Sequence, residues 1–291
     1  MDHAVTRFAP SPTGLPHLGH AYSALFGWHA AQRGNRAAGG TFLLRFEDID
    51  PNRCRPEFEE AFIRDLTWLG LSWPEPVRRQ SEHMADYRAA LDRLAGLGVI
   101  YPCFCSRKDI QEEIARAGAA PHGPEGPLYP GTCRHMDAGR RAEMLAAGTP
   151  HAWRLDAAKA ADVAGPLTWT DRAAGTITAQ PGILGDVVLA RRDVATSYHL
   201  AVTVDDHLQG VTLVTRGRDL MEATHIHRLL QALLGLSVPT WHHHPLLTNE
   251  RGERLAKRDG AAALATLREA GVTPAEVCAR LGLFPPVIKA P

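Results

Sequence analysis

The chain of 291 residues has no excess charge of either sign, few cysteines and no long apolar run. Lys plus Arg and Asp plus Glu are 32 each, so the broad basic footprint of many nucleic-acid-binding proteins is missing and any such footprint must be local. No stretch approaches the roughly 20 apolar residues a membrane helix needs. Met1 to Arg7 contains no apolar core of a secretory signal, so a cytoplasmic protein is expected. Cys54, Cys103, Cys105, Cys133 and Cys278 are too sparse, and odd in number, for a disulfide framework, which fits a reducing compartment. Internal repeats are absent. With 45% hydrophobic and 22% charged residues, a folded core is expected rather than disorder.

What is there begins with a βαβ pattern. Ala4 to Ala9 reads as a short buried strand, closed by Pro10, which cannot continue a sheet ladder. Pro10-Ser11-Pro12-Thr13-Gly14 is a rigid turn, Ala21 to Arg33 a helix, and Thr41 to Phe46 a second strand ending in the acidic loop Glu47-Asp48-Ile49-Asp50. Such units usually build parallel sheets. Residues 103–135 are rich in Gly and Pro and read as an insertion with little regular structure. The strand pattern resumes at Asp186–Leu189, Ala201–Val204 and Val211–Val214, and Thr224–Leu234 reads as a helix. Trp68, Trp73 and Trp153 are expected to pack in the interior.

Two elements point to phosphate chemistry. His17-Leu18-Gly19-His20 stands at a strand-to-helix junction, where unpaired N–H groups and the helix dipole favour an anion. His17 and His20, three apart, share one side of the first turn, and Gly19 lets a bulky group approach the backbone. Each histidine could equally be a cap or a core hydrogen bonder. Arg254-Leu255-Ala256-Lys257-Arg258, between Gly252 and Gly260, suits a phosphate clamp, although alone it is more simply a solvated basic loop. Cys103, Cys105 and Cys133 point to a structural metal, most useful in a Gly/Pro-rich insertion. By ligand chemistry alone the fourth donor would be His135. His242-His243-His244 cannot all converge on one ion. Asp205-Asp206 could take Mg²⁺ but more often organises a pocket floor.

Taken in order, Arg7-Phe8-Ala9-Pro10-Ser11-Pro12-Thr13-Gly14, His17-Leu18-Gly19-His20, Arg45-Phe46-Glu47-Asp48-Ile49-Asp50, Val204-Asp205-Asp206-His207 and Thr215-Arg216-Gly217 closely resemble class I glutamyl-tRNA synthetases. The matches run from Arg7 to about Arg258. The chain stops about where the family's anticodon-binding region would start. It thus resembles the short paralogues that attach glutamate to the queuosine base in the anticodon of tRNA(Asp).

The resemblance implies an α/β fold: a class I Rossmann-type catalytic domain with an inserted zinc-binding subdomain and no anticodon-binding domain. Residues 1–100 and 186–245 would form its two halves, 101–185 the acceptor-type insert, and 246–291 a KMSKS-like loop with a short helical tail. His17, Gly19 and His20 would contact ATP, with Mg²⁺, during adenylate formation, and Lys257 would hold the departing pyrophosphate. The loop departs from the family pattern, with Arg254 for the first lysine and Ala256 and Arg258 for the serines. Arg7, Phe8, Ala9, Pro10, Ser11, Glu47, Tyr198 and Arg216 would line the glutamate pocket, Arg7 and Arg216 facing anionic groups and Glu47 the ammonium. The family's zinc set adds a tyrosine four residues before the last cysteine, here Tyr129, to Cys103, Cys105 and Cys133. A monomer is expected. Two other readings remain at this point: charging of the terminal adenosine of tRNA(Glu), and a non-catalytic tRNA-binding relic.

Overall fold

The computed structural model describes residues 3–32, 39–116, 122–123, 126–247 and 263–286, with backbone alone at 114–116, 122–123 and 126. Strand β1 (Val5–Phe8) leads through helix α1 (Leu18–Gln32) to β2 (Thr41–Phe46), then through α2 (Pro56–Trp68) to β3 (Arg78–Arg79). Helix α3 (Met84–Gly96) enters the insert: β4 (Ile100–Cys103), α4 (Arg107–Arg116), β5 (His122–Gly123), β6 (Gly126–Pro127), α5 (Ala138–Ala146) and β7 (Ala152–Leu155). Helix α6 (Ala157–Ala164), the hairpin β8 (Thr168–Asp171) and β9 (Gly175–Thr178), and β10 (Val188–Ala190) return the chain to the core. There α7 (Tyr198–Leu208), β11 (Leu213–Gly217), α8 (Ala223–Leu234) and β12 (Thr240–His244) precede α9 (Leu264–Glu269) and α10 (Pro274–Arg280).

The β1–β2, β2–β3 and β11–β12 pairs are all parallel. Backbone N–H of Thr212 donates to the Val5 carbonyl at 3.0 Å, and the Val5 N–H to Thr212 Oγ1 at 2.9 Å, joining the two halves edge to edge. The order is therefore β3-β2-β1-β11-β12-β8-β9, and it reverses between β1 and β11. In open parallel sheets a crevice opens outside the carboxyl ends of the strands at such a reversal. Helix α1 approaches this seam closely: a Cβ on Gly27 would lie 2.9 Å from Thr215 Oγ1 and 3.8 Å from the Arg7 carbonyl. The insert adds an antiparallel sheet, β10-β7-β4.

Three expectations need correction. Helix α1 begins at Leu18 rather than Ala21, so Gly19 and His20 belong to its first turn. Ala201–Val204 is not a strand but the middle of α7, where Leu200 to Asp206 are all buried. A Val-Thr-Val run looks like strand alternation, but a helix covered on every side shows no polar face to mark its period. The insert is also more regular than its Gly and Pro content suggests. Ser106 Oγ accepts from Asp109 N–H at 3.1 Å while Asp109 Oδ2 accepts from Ser106 N–H at 2.6 Å, and this reciprocal cap starts α4.

One apolar cluster gathers Phe8, Leu25, Phe42, Leu44, Phe46 and Phe62 under α1 and α2, and Leu264, Val277, Cys278 and Leu281 close it from the C-terminal helices. A second joins α3, α7, α8 and the insert through Tyr87, Leu94, Leu155, Leu189, Leu200 and Ile226. Trp68 and Trp73 pack on the first and Trp153 on the second, as expected. Among the described residues no helix is long and apolar enough to cross a membrane.

A candidate active site at the sheet reversal

A cavity of about 520 Å³ opens where β1 and β11 end. The structure brings Arg7, Phe8, Ala9, Pro10, Ser11, His17, Gly19, His20, Glu47, Tyr198 and Arg216 into its lining, together with His244 of the histidine run and Leu247, which the sequence did not single out. Lys257 lies outside the described residues. The described residues that flank its loop border this cavity: Leu247 lines it, and Ala263 bridges to His17, with Leu264 N–H donating to the Pro16 carbonyl at 2.9 Å.

The two histidines are set by the helix start. Gly19 N–H donates to His17 Nδ1 at 3.1 Å, and His17 N–H donates to His20 Nδ1 at 3.2 Å. Each Nδ1 is thus an acceptor, which places the proton of the neutral ring on Nε2. The rings lie 3.9 Å apart, centroid to centroid. Gly19 lines the cavity and also leaves room for the His17 ring, because a Cβ there would lie 3.0 Å from His17 Cε1.

The two arginines expected to face anions have different surroundings. Arg7 meets Asp206 at two points, Nε to Oδ1 at 3.0 Å and Nη2 to Oδ2 at 3.3 Å, and its Nη1 donates to the Thr215 carbonyl. Arg7 is therefore already neutralised. Arg216 is 6% exposed and, among the described residues, donates only to neutral groups: Nε to His243 Nε2 (3.1 Å), Nη1 to Tyr198 OH (3.1 Å) and His227 Nδ1 (3.2 Å), and Nη2 to Thr224 Oγ1 (2.7 Å). A buried cation without a carboxylate invites one from a ligand. Glu47, also on the lining, has its carboxyl pushed up by burial, opposed by Arg45 and Arg7.

Neither His227 nor His243 was singled out as a site residue. Because an arginine can only donate, His243 keeps its proton on Nδ1 and gives it to Asp171 Oδ2 at 2.8 Å. By the same reasoning His227 Nε2 donates to His199 Nδ1 at 3.2 Å. The adjacent histidines diverge: His242 stands edge-on to Phe26, and His244 reaches Ser23 and the Pro245 carbonyl.

At the end of β4, the Sγ atoms of Cys103, Cys105 and Cys133 all lie within 4.8 Å of one another. Tyr129 OH is 3.4 Å from Cys103 Sγ and 3.6 Å from Cys105 Sγ, and Cys105 Sγ is 3.4 Å from Cys133 Sγ. Tetrahedral zinc ligands stand about 3.8 Å apart for two sulfurs and about 3.5 Å for sulfur and oxygen, so this donor set fits one metal ion. His135 is exposed, accepts from Arg134 Nε at 3.4 Å and does not join the cluster. Cys278 is an ordinary core residue, and Cys54 is half-buried away from the cluster.

Burial first and then the Arg216 charge depress His199 and His243 from 6.5 to about 4, and His227 well below 6.5. Depressed pKa values in the fold mean that the unfolded chain binds protons the folded chain refuses. Stability is then complete above about pH 6.5 and falls as pH drops toward 4, by up to about 1.4 kcal/mol per pH unit per histidine. Urea titrations at pH 7 and pH 5 should show this loss, with a shallower slope in His243→Gln. Equal stability at both pH values would refute the neutral shell.

Residues 3–287 match the family of class I tRNA synthetases (E and Q), catalytic domain. A glutamyl-Q tRNA(Asp) synthetase of Rhodobacter capsulatus is 48% identical over 96% of this chain and 100% of its own length. One from Deinococcus radiodurans is 47% identical over 94% of this chain and 86% of its own. A glutamate tRNA ligase of Elizabethkingia meningosepticum, solved in complex with its amino acid, superposes with a TM-score of 0.73 at 27% identity. The match covers 89% of this chain but 53% of that ligase, so the chain spans about half of its length. With the sheet reversal, the paired histidines and these relatives in agreement, the chain belongs to the class I tRNA synthetases of the E and Q type, in the branch of the glutamyl-Q tRNA(Asp) synthetases, and is a ligase.

Proposed function

We propose that the chain activates L-glutamate with ATP and transfers the glutamyl group to the queuosine base in the anticodon of tRNA(Asp). The observation that carries the amino-acid half is Arg216, a buried cation with only neutral partners among the described residues, facing a cavity that Glu47 also lines. The names of the relatives support the acceptor.

Glutamate brings two carboxylates and one ammonium. The α-carboxylate must be free to react, so the side-chain carboxylate takes the fixed fork of Arg216 and the Tyr198 hydroxyl. Glu47 receives the ammonium. Arg7 acts indirectly by holding Asp206, and the turn Phe8-Ala9-Pro10-Ser11 walls the substrate. An oxygen of the α-carboxylate attacks the α-phosphorus of ATP, and the bond to pyrophosphate breaks. His17 and His20 offer Nε2–H donors to charge building on the phosphates, beside the N-terminus of α1. Mg²⁺ accompanies ATP, and Lys257 steadies the departing pyrophosphate. A ring hydroxyl of queuosine then attacks the mixed anhydride and AMP leaves. No protein nucleophile is needed, so rate comes from positioning and charge stabilisation. A structural zinc ion held by Cys103, Cys105, Tyr129 and Cys133 would convert binding energy into order of the insert.

Labelled glutamate and ATP, supplied with tRNA from queuosine-making cells and from cells that cannot make it, should label only the first pool. Equal labelling would mean terminal charging, and no labelling of either would overturn the proposal. Arg216→Lys keeps the charge but loses the fork, and should raise KM for glutamate about 10- to 100-fold with little change in KM for ATP. An equal effect on both would remove Arg216 from the amino-acid pocket. Metal analysis of freshly purified protein should give about one zinc per chain, lost in Cys133→Ser. A metal-free wild-type protein would sink the cluster assignment.

A further inference from the structure

The seam between the insert sheet and the catalytic core holds a second cavity, of about 580 Å³, within the range of small-ligand pockets. Helix α3 contributes Arg88, the approach to β7 His151, β7 itself Trp153, and the segment after β10 Arg191 and Arg192. The His151 ring stands edge-on to Trp153 at 5.2 Å, with Phe104 another 5.5 Å from His151, so one wall is aromatic.

The cations differ in how they are balanced. Arg191 is matched by Asp193 at 2.8 Å and by Asp50 at 3.6 Å. The Arg192 guanidinium is held by two backbone carbonyls of the cysteine hairpin, Phe104 at 2.5 Å and Cys105 at 2.6 Å. Neither Arg192 nor the exposed Arg88 has a carboxylate within 4 Å among the described residues. Exposed Asp92 is the other acid on the lining, so the charges around the cavity roughly cancel, and Arg88 and Arg192 are its cations outside an ion pair among the described residues.

The two cavities adjoin. Ala195 lines the second and Tyr198 the first, three residues later, at most about 10 Å of extended chain. Asp50, which pairs with Arg191, follows Glu47 of the first cavity by three residues.

We propose that this second cavity takes a nucleotide flanking the acceptor base, with its base against Trp153 and His151 and its phosphate toward Arg88 and Arg192. The proposal rests on the RNA-acceptor reading above. A base that enters the adenylate cavity must leave its stack, and its neighbour then needs a surface. Unstacked RNA bases are held on aromatic and guanidinium faces, and their phosphates by unpaired cations.

The test is binding of a synthetic tRNA(Asp) anticodon stem-loop, followed by fluorescence anisotropy at several salt concentrations, beside glutamate-dependent pyrophosphate exchange. Trp153→Leu and Arg88→Glu should each weaken RNA binding roughly 5- to 100-fold while exchange holds within twofold. Arg88→Ala should lower the salt slope by about one. Arg88 lies on the exposed face of α3, so its variants keep the fold even where Trp153→Leu, which touches the second apolar cluster, does not. Wild-type affinity in both Arg88 variants overturns the proposal. Failure of the wild-type protein to bind the stem-loop, with exchange intact, overturns the RNA-acceptor reading itself and this proposal with it.

Discussion

The fold and the candidate site both depend on one fully buried guanidinium, that of Arg45 in β2. It meets Asp206 at 2.9 Å, Glu47 at 3.2 Å and Asp205 at 3.7 Å. Asp206 is shared with Arg7 of β1, while Asp205 accepts from Arg78 of β3 at 2.8 Å and from Gln80 and Tyr87. Parallel strands β1, β2 and β3 are thereby tied to α7 by charge as well as by apolar packing. Losing one partner of such a cluster would leave buried carboxylates uncompensated, at a cost of about 3–5 kcal/mol. Burial opposes ionisation of Asp206, but Arg7 and Arg45 outweigh it and hold its carboxyl below the usual range.

That cluster also separates the roles of two arginines that look alike in the sequence. Arg7 and Arg216 both end strands at the cavity, but Asp206 claims Arg7 and leaves Arg216 to neutral neighbours. What was legible was local: strand β1, the proline turn, the histidine pair and the acidic loop lie within fifty residues, and their side chains have few ways to meet. What was not legible depends on distant partners. His243 comes from β12, His227 from α8 and Asp171 from β8, and only the fold brings them around Arg216. Nothing in Thr240–His244 marks the fourth residue of that strand as the one turned toward the cation.

The insert shows the same division. Three cysteines in a Gly/Pro-rich tract pointed to a metal, and the tyrosine could be named only through the family pattern. The structure adds a physical reason for its position. Arg154 of β7 sits over the Tyr129 ring at 3.9 Å and donates to the Asp186 carbonyl at 2.7 Å, which ties the cysteine hairpin to the insert sheet. Arg192 then links the hairpin carbonyls to the cavity at the seam. Order in a segment of weak local preference thus extends to the face that borders the core.

On the proposed reading, the neutral shell around Arg216 gives up stability for discrimination. A carboxylate from the chain would satisfy the guanidinium more cheaply, but a ligand carboxylate would then have to displace it. With histidine, tyrosine and threonine as partners, every hydrogen bond steadies the fork and none cancels its charge. A ligand bearing an amide in place of the carboxylate would leave a buried cation without a counter-charge, and sites that penalise the wrong ligand discriminate more strongly than sites that merely fit the right one. The arrangement works only while His199, His227 and His243 stay uncharged, and their burial beside Arg216 enforces this. Specificity and acid sensitivity therefore have the same origin.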